Sequence, residues 1–218
     1  MIDTLLFDLD GTLIDTAPDM VGTLNFLLAK HGQAPLPYDI VRVHVSQGSL
    51  ALVKLGFGDA LSENQIRTLQ QEYLDTYLEH ICDSSTVFSH VAELMPQLAT
   101  LGLQWGIVTN KPGWLTDALL KAIKLPWQPQ CIVSGDTLAV RKPHPEPLLH
   151  ACKLIQRQPS QCVFLGDDIR DVQAGNAAGI PTLIALYGYI DANEPTDSWG
   201  GAGYLHKATD VLDWLKQQ

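Results

Sequence analysis

Five short apolar runs, rich in branched side chains, recur along the 218-residue chain and predict the buried strands of a parallel sheet. They are Thr4–Phe7, Leu103–Val108, Cys131–Val133, Cys162–Leu165 and Thr182–Leu186. Between the later runs lie three helical patterns, at Trp114–Ile123, Glu146–Gln156 and Val172–Ala178. Because strands that alternate with helices build such sheets, the sequence predicts an α/β fold with a doubly wound parallel sheet.

The stretch between the first and second runs is too long for one crossover and has a helical pattern of its own. A segment that begins at Pro18 is apolar on one face and ends at Gly32. Ser62-Glu-Asn-Gln65 has the form of a capping box that opens a second amphipathic helix. We expect residues 16–84 to form a small helical cap, inserted into an α/β core of residues 1–15 and 85–218. A helix over 90–101 then returns the chain to the sheet.

Polar side chains follow three of the predicted strands at the point where each strand ends. Asp8 and Asp10 follow the first strand, Thr109 and Asn110 the second, and Asp167 the fourth. In an open α/β sheet the ligand site lies just outside the carboxyl ends of the strands. We therefore expect these side chains to converge on one edge of the sheet.

The acidic residues among them predict a metal site. If the strand stays extended, Asp8 and Asp10 face the same way and Gly11 lets the chain turn aside. Asp167 and Asp171 bring further negative charge to the same cleft. Two unit charges ~4 Å apart repel by ~1 kcal/mol in water and by ~4 kcal/mol at an effective dielectric constant of 20. Such a cluster needs a cation, and ligands that are all oxygen favour Mg²⁺.

The same groups suit the chemistry of a phosphate ester. One carboxylate can attack phosphorus, while its neighbour protonates the leaving alkoxide and later deprotonates a water. Thr109, Asn110 and a lysine can stabilise the charge on the transferring phosphoryl group. Lys142 is the best-placed lysine, because Pro143 and Pro145 restrain the backbone beside it. A small phosphorylated metabolite is the expected partner.

Composition narrows the setting. The net charge of −10 argues against a nucleic-acid or acidic-membrane partner, since no basic stripe is present to neutralise phosphates. No apolar stretch approaches the roughly 18 residues of a membrane span, and the N-terminus lacks a targeting pattern. We expect a cytoplasmic protein, monomeric or homodimeric, whose four scattered cysteines are reduced thiols.

Four ordered motifs carry a resemblance to a known family. They are Asp8-Leu-Asp-Gly-Thr-Leu-Ile-Asp-Thr16, Val108-Thr109-Asn110, Lys142-Pro-His-Pro145 and Gly166-Asp167-Asp168-Ile-Arg-Asp171. In this order and spacing they resemble the motifs of the haloacid dehalogenase superfamily, over nearly the whole chain. The resemblance implies a Rossmann-like core, and the helical insertion resembles the small cap domain of that superfamily.

The resemblance also implies a role for each motif residue. Asp8 would be the nucleophile, and Asp10 would be the general acid/base. Thr109 would bind the phosphoryl group, and Lys142 would neutralise nucleophile and phosphate. The implied magnesium ligands are Asp8, Asp10 through its main-chain carbonyl, Asp167, and Asp171 in support.

Differences among members of this superfamily bear on the reaction. Dehalogenases lack the second carboxylate, which is present here as Asp10. Relatives that cleave phosphonates also lack it and use a cap lysine, for which Lys30 and Lys54 are the candidates. Hexose-phosphate mutases of the β-phosphoglucomutase type keep both carboxylates and a helical cap, and they remain an alternative. A receiver-type signalling domain, phosphorylated without turnover, is an alternative of another class.

At a finer level, three stretches resemble the phosphoglycolate phosphatase-like branch, which implies a role in carbohydrate metabolism: Val108-Thr-Asn-Lys-Pro112, Ser134-Gly-Asp136 and Lys142-Pro-His-Pro-Glu-Pro147. The tail stretch Tyr187-Gly-Tyr-Ile190, with Asn193 and Trp199-Gly200, is similar to N-acetylmuramic acid 6-phosphate phosphatases. N-acetylmuramic acid 6-phosphate and 2-phosphoglycolate are therefore the favoured substrates.

Several of the remaining residues have a structural interpretation, either beside a functional one or in place of it. Ser46, Gln47 and Gly48 are expected to contact the leaving group, although a plain interhelix turn fits the sequence equally well. Asp168 is expected only to cap a helix. The basic residues Lys111, Arg141 and Arg170 are either surface charges or offset the negative field of the cleft.

Overall fold

A parallel sheet forms the centre of the molecule. The computed structural model describes residues 1–58 and 60–218. In chain order the strands are β1 (Thr4–Phe7), β2 (Ile14–Asp15), β3 (Thr86–Val87), β4 (Gln104–Val108), β5 (Ile132–Val133), β6 (Cys162–Gly166), β7 (Thr182–Ala185) and β8 (Gly203–Leu205). Six of them form the sheet, in the order β5-β4-β1-β6-β7-β8. Every neighbouring pair in this sheet is parallel. β2 and β3 form a separate antiparallel ribbon.

Helices cover both faces of the sheet. In chain order they are α1 (Ala17–Lys30), α2 (Tyr38–Arg42), α3 (Ser49–Phe57), α4 (Glu63–Glu79), α5 (Ser89–Thr100), α6 (Gly113–Ile123), α7 (Glu146–Ile155), α8 (Ile169–Ala178) and α9 (Val211–Leu215). Leu5 and Phe7 of β1 pack in one apolar cluster with side chains of α5, α6 and α9. Leu6 packs in another cluster with α7 and α8. Because successive side chains of a strand point to opposite faces, β1 is buried on both, as its unbroken apolar run predicts.

The five predicted strands are confirmed, each to within one residue at either end. The sequence did not reveal β8, which has three residues, or the ribbon of β2 and β3, whose strands have two residues each. Segments of this length are too short to show an alternation of apolar and polar positions. All four cysteines are free, and Cys131, Cys152 and Cys162 are buried, as expected for structural thiols.

The helices α1 to α4 pack around an apolar cluster of their own. Its fully buried members include Leu24, Leu52, Val53 and Tyr73, which come from α1, α3 and α4. Ser62 caps α4 in the predicted capping box with Gln65. That residues 16–84 act as a cap domain remains a prediction.

Two buried polar side chains fasten the chain where it passes between the sheet and these helices. The Tyr189 hydroxyl accepts hydrogen bonds from the amides of Thr16 (2.6 Å) and Ala17 (2.9 Å) and donates one to Asp15 (2.8 Å). It thereby satisfies amides at the start of α1 that have no partner within the helix. On the return passage, Asp19 accepts hydrogen bonds from the amides of Ser84 and Ser85, both at 2.8 Å.

We predict that Tyr189→Phe lowers the free energy of unfolding by about 1–3 kcal/mol, because it leaves two amides and a carboxylate without their partner. Urea denaturation followed by circular dichroism measures this quantity. Tyr204→Phe is the control: Tyr204 is exposed, and its hydroxyl bonds only Asp197 among the residues with assigned positions, so a change within about 0.5 kcal/mol is expected. Equal losses in the two variants would contradict the role of Tyr189.

Candidate active site

A cavity of about 290 Å³ opens where the carboxyl ends of the central strands meet the helices α1 and α4. Its walls carry most of the side chains that the sequence singled out: Asp8, Asp10, Ser46, Gln47, Gly48, Thr109, Asn110, Lys142 and Asp171. The predicted convergence of strand-end residues is therefore present. Lys111, Arg141 and Arg170 also border this cavity.

Three buried carboxylates crowd together at the base of the site. Asp8, Asp167 and Asp171 offer oxygens that all lie within 4.8 Å of one another. Burial raises the pKa of Asp167 above its usual range, and the negative charge of Asp8 raises it further. Burial likewise raises the pKa of Asp171, although Lys142 opposes the shift. The cluster therefore holds more negative charge than its surroundings neutralise.

Lys142 provides part of the missing positive charge. Its Nζ lies 2.8 Å from Asp8 Oδ1 and 2.7 Å from Asp171 Oδ1, and it donates a hydrogen bond to the carbonyl of Val108 (2.9 Å). Burial disfavours its charged form, but Asp171 and Asp8 outweigh this effect and raise the pKa of Lys142 to about 12. The predicted pairing of this lysine with the acidic pocket is thus present.

The donor set fits a hard divalent cation. With all three carboxylates ionised and Lys142 protonated, the cluster has a residual formal charge of about −2. Asp8 Oδ1 is buried and accepts no hydrogen bond from the described residues, because its contact with Lys142 is an ion pair without hydrogen-bond geometry. Oxygen-only ligands and an open side toward a cavity suit Mg²⁺.

Asp10 lies apart from this cluster and has different partners. Its Oδ1 accepts hydrogen bonds from Thr16 Oγ1 (2.7 Å) and from Lys111 Nζ (2.9 Å). The strand does not stay extended as far as Asp10, because β1 ends at Phe7 and Asp10 forms an isolated bridge with Ile14. Both carboxylates nevertheless border the same cavity, so their predicted convergence does not depend on the strand. The two carboxylates therefore border the cavity with separate environments.

Gly11 makes this turn possible. Its φ of +85° is in the region that favours glycine, and a Cβ at this position would collide with the carboxylate of Asp167. The glycine after the acidic pair therefore permits both the turn and the close approach of this segment to Asp167.

Asn110 holds Lys142 in place. Its side-chain amide donates to the Lys142 carbonyl (2.9 Å) and accepts from the Lys142 amide (3.0 Å). Its predicted contact with substrate remains a prediction. Thr109 is buried beside the cavity, and its hydroxyl accepts a hydrogen bond from the amide of Lys111 (3.1 Å).

Lys111 is the site residue to which the sequence assigned no definite role. Its side chain is only 4% exposed, so it is not a surface charge. Burial disfavours the charge, but Asp10 and other contacts outweigh it and raise the pKa of Lys111 above its usual range. Its Nζ also donates to the hydroxyl of Tyr77 on α4 (3.0 Å). The signal that could have identified it is its position directly after Asn110, at the carboxyl end of a central strand.

The loop before α3 reaches the acidic cluster. Ser46 Oγ donates to Asp167 Oδ2 (2.9 Å), and Gln47 and Gly48 line the cavity. Arg170 donates to the carbonyl of Ser46 (2.6 Å) and forms an ion pair with Asp168. Asp168 caps α8, as predicted. Contacts of this loop with a leaving group remain predictions.

Comparisons with known proteins agree with this architecture. The sequence model of the family described as haloacid dehalogenase-like hydrolase matches residues 5–185. A relative from Xylella fastidiosa (strain Temecula1), named phosphoglycolate phosphatase, is 42% identical over 90% of this chain and 85% of its own. A relative from Pseudomonas aeruginosa, named N-acetylmuramic acid 6-phosphate phosphatase, is 36% identical over 98% of this chain and 95% of its own.

A solved structure shows the same fold. The crystal structure of a predicted phosphoglycolate phosphatase from Haemophilus somnus 129pt superposes with a TM-score of 0.86 and 25% identity, over 98% of both chains. Among residues 1–58 and 60–218, no helix is long and apolar enough to cross a membrane. By its sequence and its fold, the chain is an enzyme of the haloacid dehalogenase-like hydrolase family.

Proposed function

We propose that this enzyme is a magnesium-dependent phosphomonoester hydrolase that works through a phosphoryl intermediate on Asp8. The observation that carries the proposal is the buried cluster of Asp8, Asp167 and Asp171 around Lys142, with a second carboxylate, Asp10, on the wall of the same cavity. An acidic cluster needs a cation, and a separately held carboxylate suits proton transfer.

The metal would be held by the three clustered carboxylates, with Asp10 adding its main-chain carbonyl. When bound, Mg²⁺ supplies positive charge that offsets the carboxylates and the phosphate. Thr109 borders the cavity and would donate a hydrogen bond to a phosphoryl oxygen. Lys142, held by Asn110 and ion-paired with Asp8, orients the Asp8 carboxylate.

The reaction divides between the two aspartates of the first motif. An oxygen of Asp8 forms a bond to phosphorus as the bond to the leaving oxygen breaks, and Asp10 gives that oxygen a proton. A water then attacks phosphorus, Asp10 takes its proton, and the bond to Asp8 breaks to release inorganic phosphate. Lys111 and Thr16 hold the Asp10 carboxylate in place for both steps.

The structure also bears on the other reactions in the family. The candidate Schiff-base lysines of phosphonate cleavage lie away from the cavity walls: Lys30 pairs with Glu72 at 2.6 Å, and Lys54 is exposed. Asp10 argues against dehalogenation, because halide needs no proton as it leaves. A mutase would transfer the phosphoryl group to a hydroxyl of a sugar phosphate instead of to water. Release of inorganic phosphate therefore distinguishes a hydrolase from a mutase.

The favoured substrates are 2-phosphoglycolate and N-acetylmuramic acid 6-phosphate. The names of the relatives from Xylella fastidiosa and Pseudomonas aeruginosa support this choice. The cytoplasmic location and the monomeric or homodimeric state remain predictions.

We predict that Asp8→Asn lowers phosphate release by at least about 10³-fold on a panel of phosphorylated metabolites, because the amide is a poor nucleophile. Its circular dichroism spectrum should match that of the unaltered protein. Asp136→Asn is the matched control, since Asp136 is exposed and the amide oxygen can still accept the hydrogen bond from Gly113. Appreciable turnover by Asp8→Asn would refute the mechanism. Phosphorylation without turnover in the unaltered protein would instead favour a signalling domain.

We predict that the metal-free protein loses stability as pH rises from about 4 to about 8. The pKa values of Asp167 and Asp171 are raised in the folded state, so folding favours their protonated forms, and this contribution disappears as pH rises through the folded-state pKa. Mg²⁺ should restore the stability near neutral pH, by about 2.7 kcal/mol at 100 times its Kd. Thermal unfolding with EDTA or Mg²⁺ at several pH values tests both effects. A Mg²⁺ response retained in full by Asp167→Asn would contradict this site.

We predict that Gln47→Ala changes the ranking of substrates while leaving the Asp8 chemistry intact, because Gln47 lines the cavity beside the expected leaving group. Ratios of kcat/KM across the metabolite panel measure the ranking. An unchanged ranking would show that this loop is only an interhelix turn.

A further inference from the structure

Lys111 and Tyr77 form a buried polar pair on the wall of the cavity. Lys111 Nζ lies 3.0 Å from the Tyr77 hydroxyl and 4.7 Å from the centroid of its ring. Lys111 comes from the loop after β4, and Tyr77 comes from α4. The pair therefore lies where the sheet side of the cavity wall meets the helices. The steps proposed above use Lys111 only to hold Asp10, and they do not use Tyr77.

Both members of the pair keep a hydrogen that no described residue accepts. An ammonium has three N–H donors, and Lys111 uses one on Asp10 and one on Tyr77. The Tyr77 oxygen accepts the second of these, and its own O–H has no acceptor among residues 1–58 and 60–218. Two donors, one of them charged, therefore stand 3.0 Å apart on a cavity wall.

We propose that Lys111 and Tyr77 form a subsite for a carboxylate on the leaving group of the substrate. Two donors about 3 Å apart can each bond one oxygen of the same carboxylate, and a charge-assisted pair of this kind gives both orientation and affinity. Buried donors that lack an acceptor cost free energy, so a neutral leaving group is disfavoured at this point. The inference rests on the proposed phosphatase function and narrows its substrate class.

The position of the pair also limits the distance between the carboxylate and the phosphate ester. Asp10 can protonate the leaving oxygen only from within about 3 Å of it. Lys111 Nζ is itself 2.9 Å from Asp10 Oδ1, so the subsite lies next to the ester oxygen. It suits an acid whose carboxylate is one or two carbons from the phosphorylated oxygen. The substrate class is thus the phosphate esters of short hydroxy acids.

The test compares 2-phosphoglycolate with 2-phosphoglycolamide, in which an uncharged amide replaces the carboxylate, in the presence of Mg²⁺. In Tyr77→Phe, KM for 2-phosphoglycolate should rise about tenfold, because one hydrogen bond to a charged group is lost. KM for the amide and kcat for both should change by less than about threefold. In Lys111→Gln, the preference for the acid over the amide should disappear.

Tyr73→Phe is the matched control. Tyr73 lies one turn earlier on α4, its ring stacks on that of Tyr77 with centroids 6.3 Å apart, and it is fully buried. Its hydroxyl donates to the carbonyl of Met20 and forms no hydrogen bond with Lys111 in the described part of the chain. The variant therefore removes a buried tyrosine hydroxyl without touching the subsite, and the preference for the acid should be unchanged.

Three outcomes overturn the inference. An equal rise in KM for the acid and the amide in Tyr77→Phe shows that the hydroxyl has only a structural role. A larger loss with a sugar bisphosphate than with 2-phosphoglycolate assigns the pair to a second phosphate. Hydrolysis of p-nitrophenyl phosphate without any preference for the acid by the unaltered enzyme removes the subsite but keeps the phosphatase. Absence of hydrolysis with every ester, p-nitrophenyl phosphate included, removes the proposed function itself.

Discussion

Mutual repulsion among three buried carboxylates is the constraint on which the rest of the site depends. Asp8, Asp167 and Asp171 approach within 4.8 Å of one another, where little water screens their charges. Lys142 neutralises part of that charge, and its own position depends on the amide of Asn110. The donors around the cluster come from many parts of the chain, so the whole fold contributes to keeping the carboxylates together.

The sheet holds the carboxylates together despite their repulsion, because it fixes the positions from which Asp8 and Asp167 enter the cluster. β1 and β6 are neighbouring parallel strands. β1 ends directly before Asp8, and β6 ends directly before Asp167. Fully buried strands on two packed faces cannot slip by one residue without exposing their apolar side chains. The register that protects the core therefore also sets the separation of Asp8 from Asp167.

The sequence predicted the central strands well, because their apolar runs are unbroken and bounded by polar groups. It also predicted that Asp8, Thr109 and Asp167 converge, since this follows from the topology of a parallel sheet. The strand was predicted to stay extended to Asp10, but it ends at Phe7, and an alternating stretch of three residues does not show where a strand stops. The burial of Lys111 was missed because its partners, Asp10 and Tyr77, are 101 and 34 residues away, and long-range pairing leaves no local pattern.

Tyr189 gives this architecture a consequence for how its parts can be exchanged. Its main-chain amide donates to Asp167 (2.9 Å), its hydroxyl holds the start of α1, and the Arg42 guanidinium from α2 lies 4.9 Å from the centroid of its ring. The helical segment and the segment after β7 are thus matched surfaces, although they are distant in sequence. A chimera that takes its helices from one relative and this tail from another would disturb the position of Asp167, which neither segment contains. We therefore expect that an exchange of sequence between relatives preserves the site only when both segments are exchanged together.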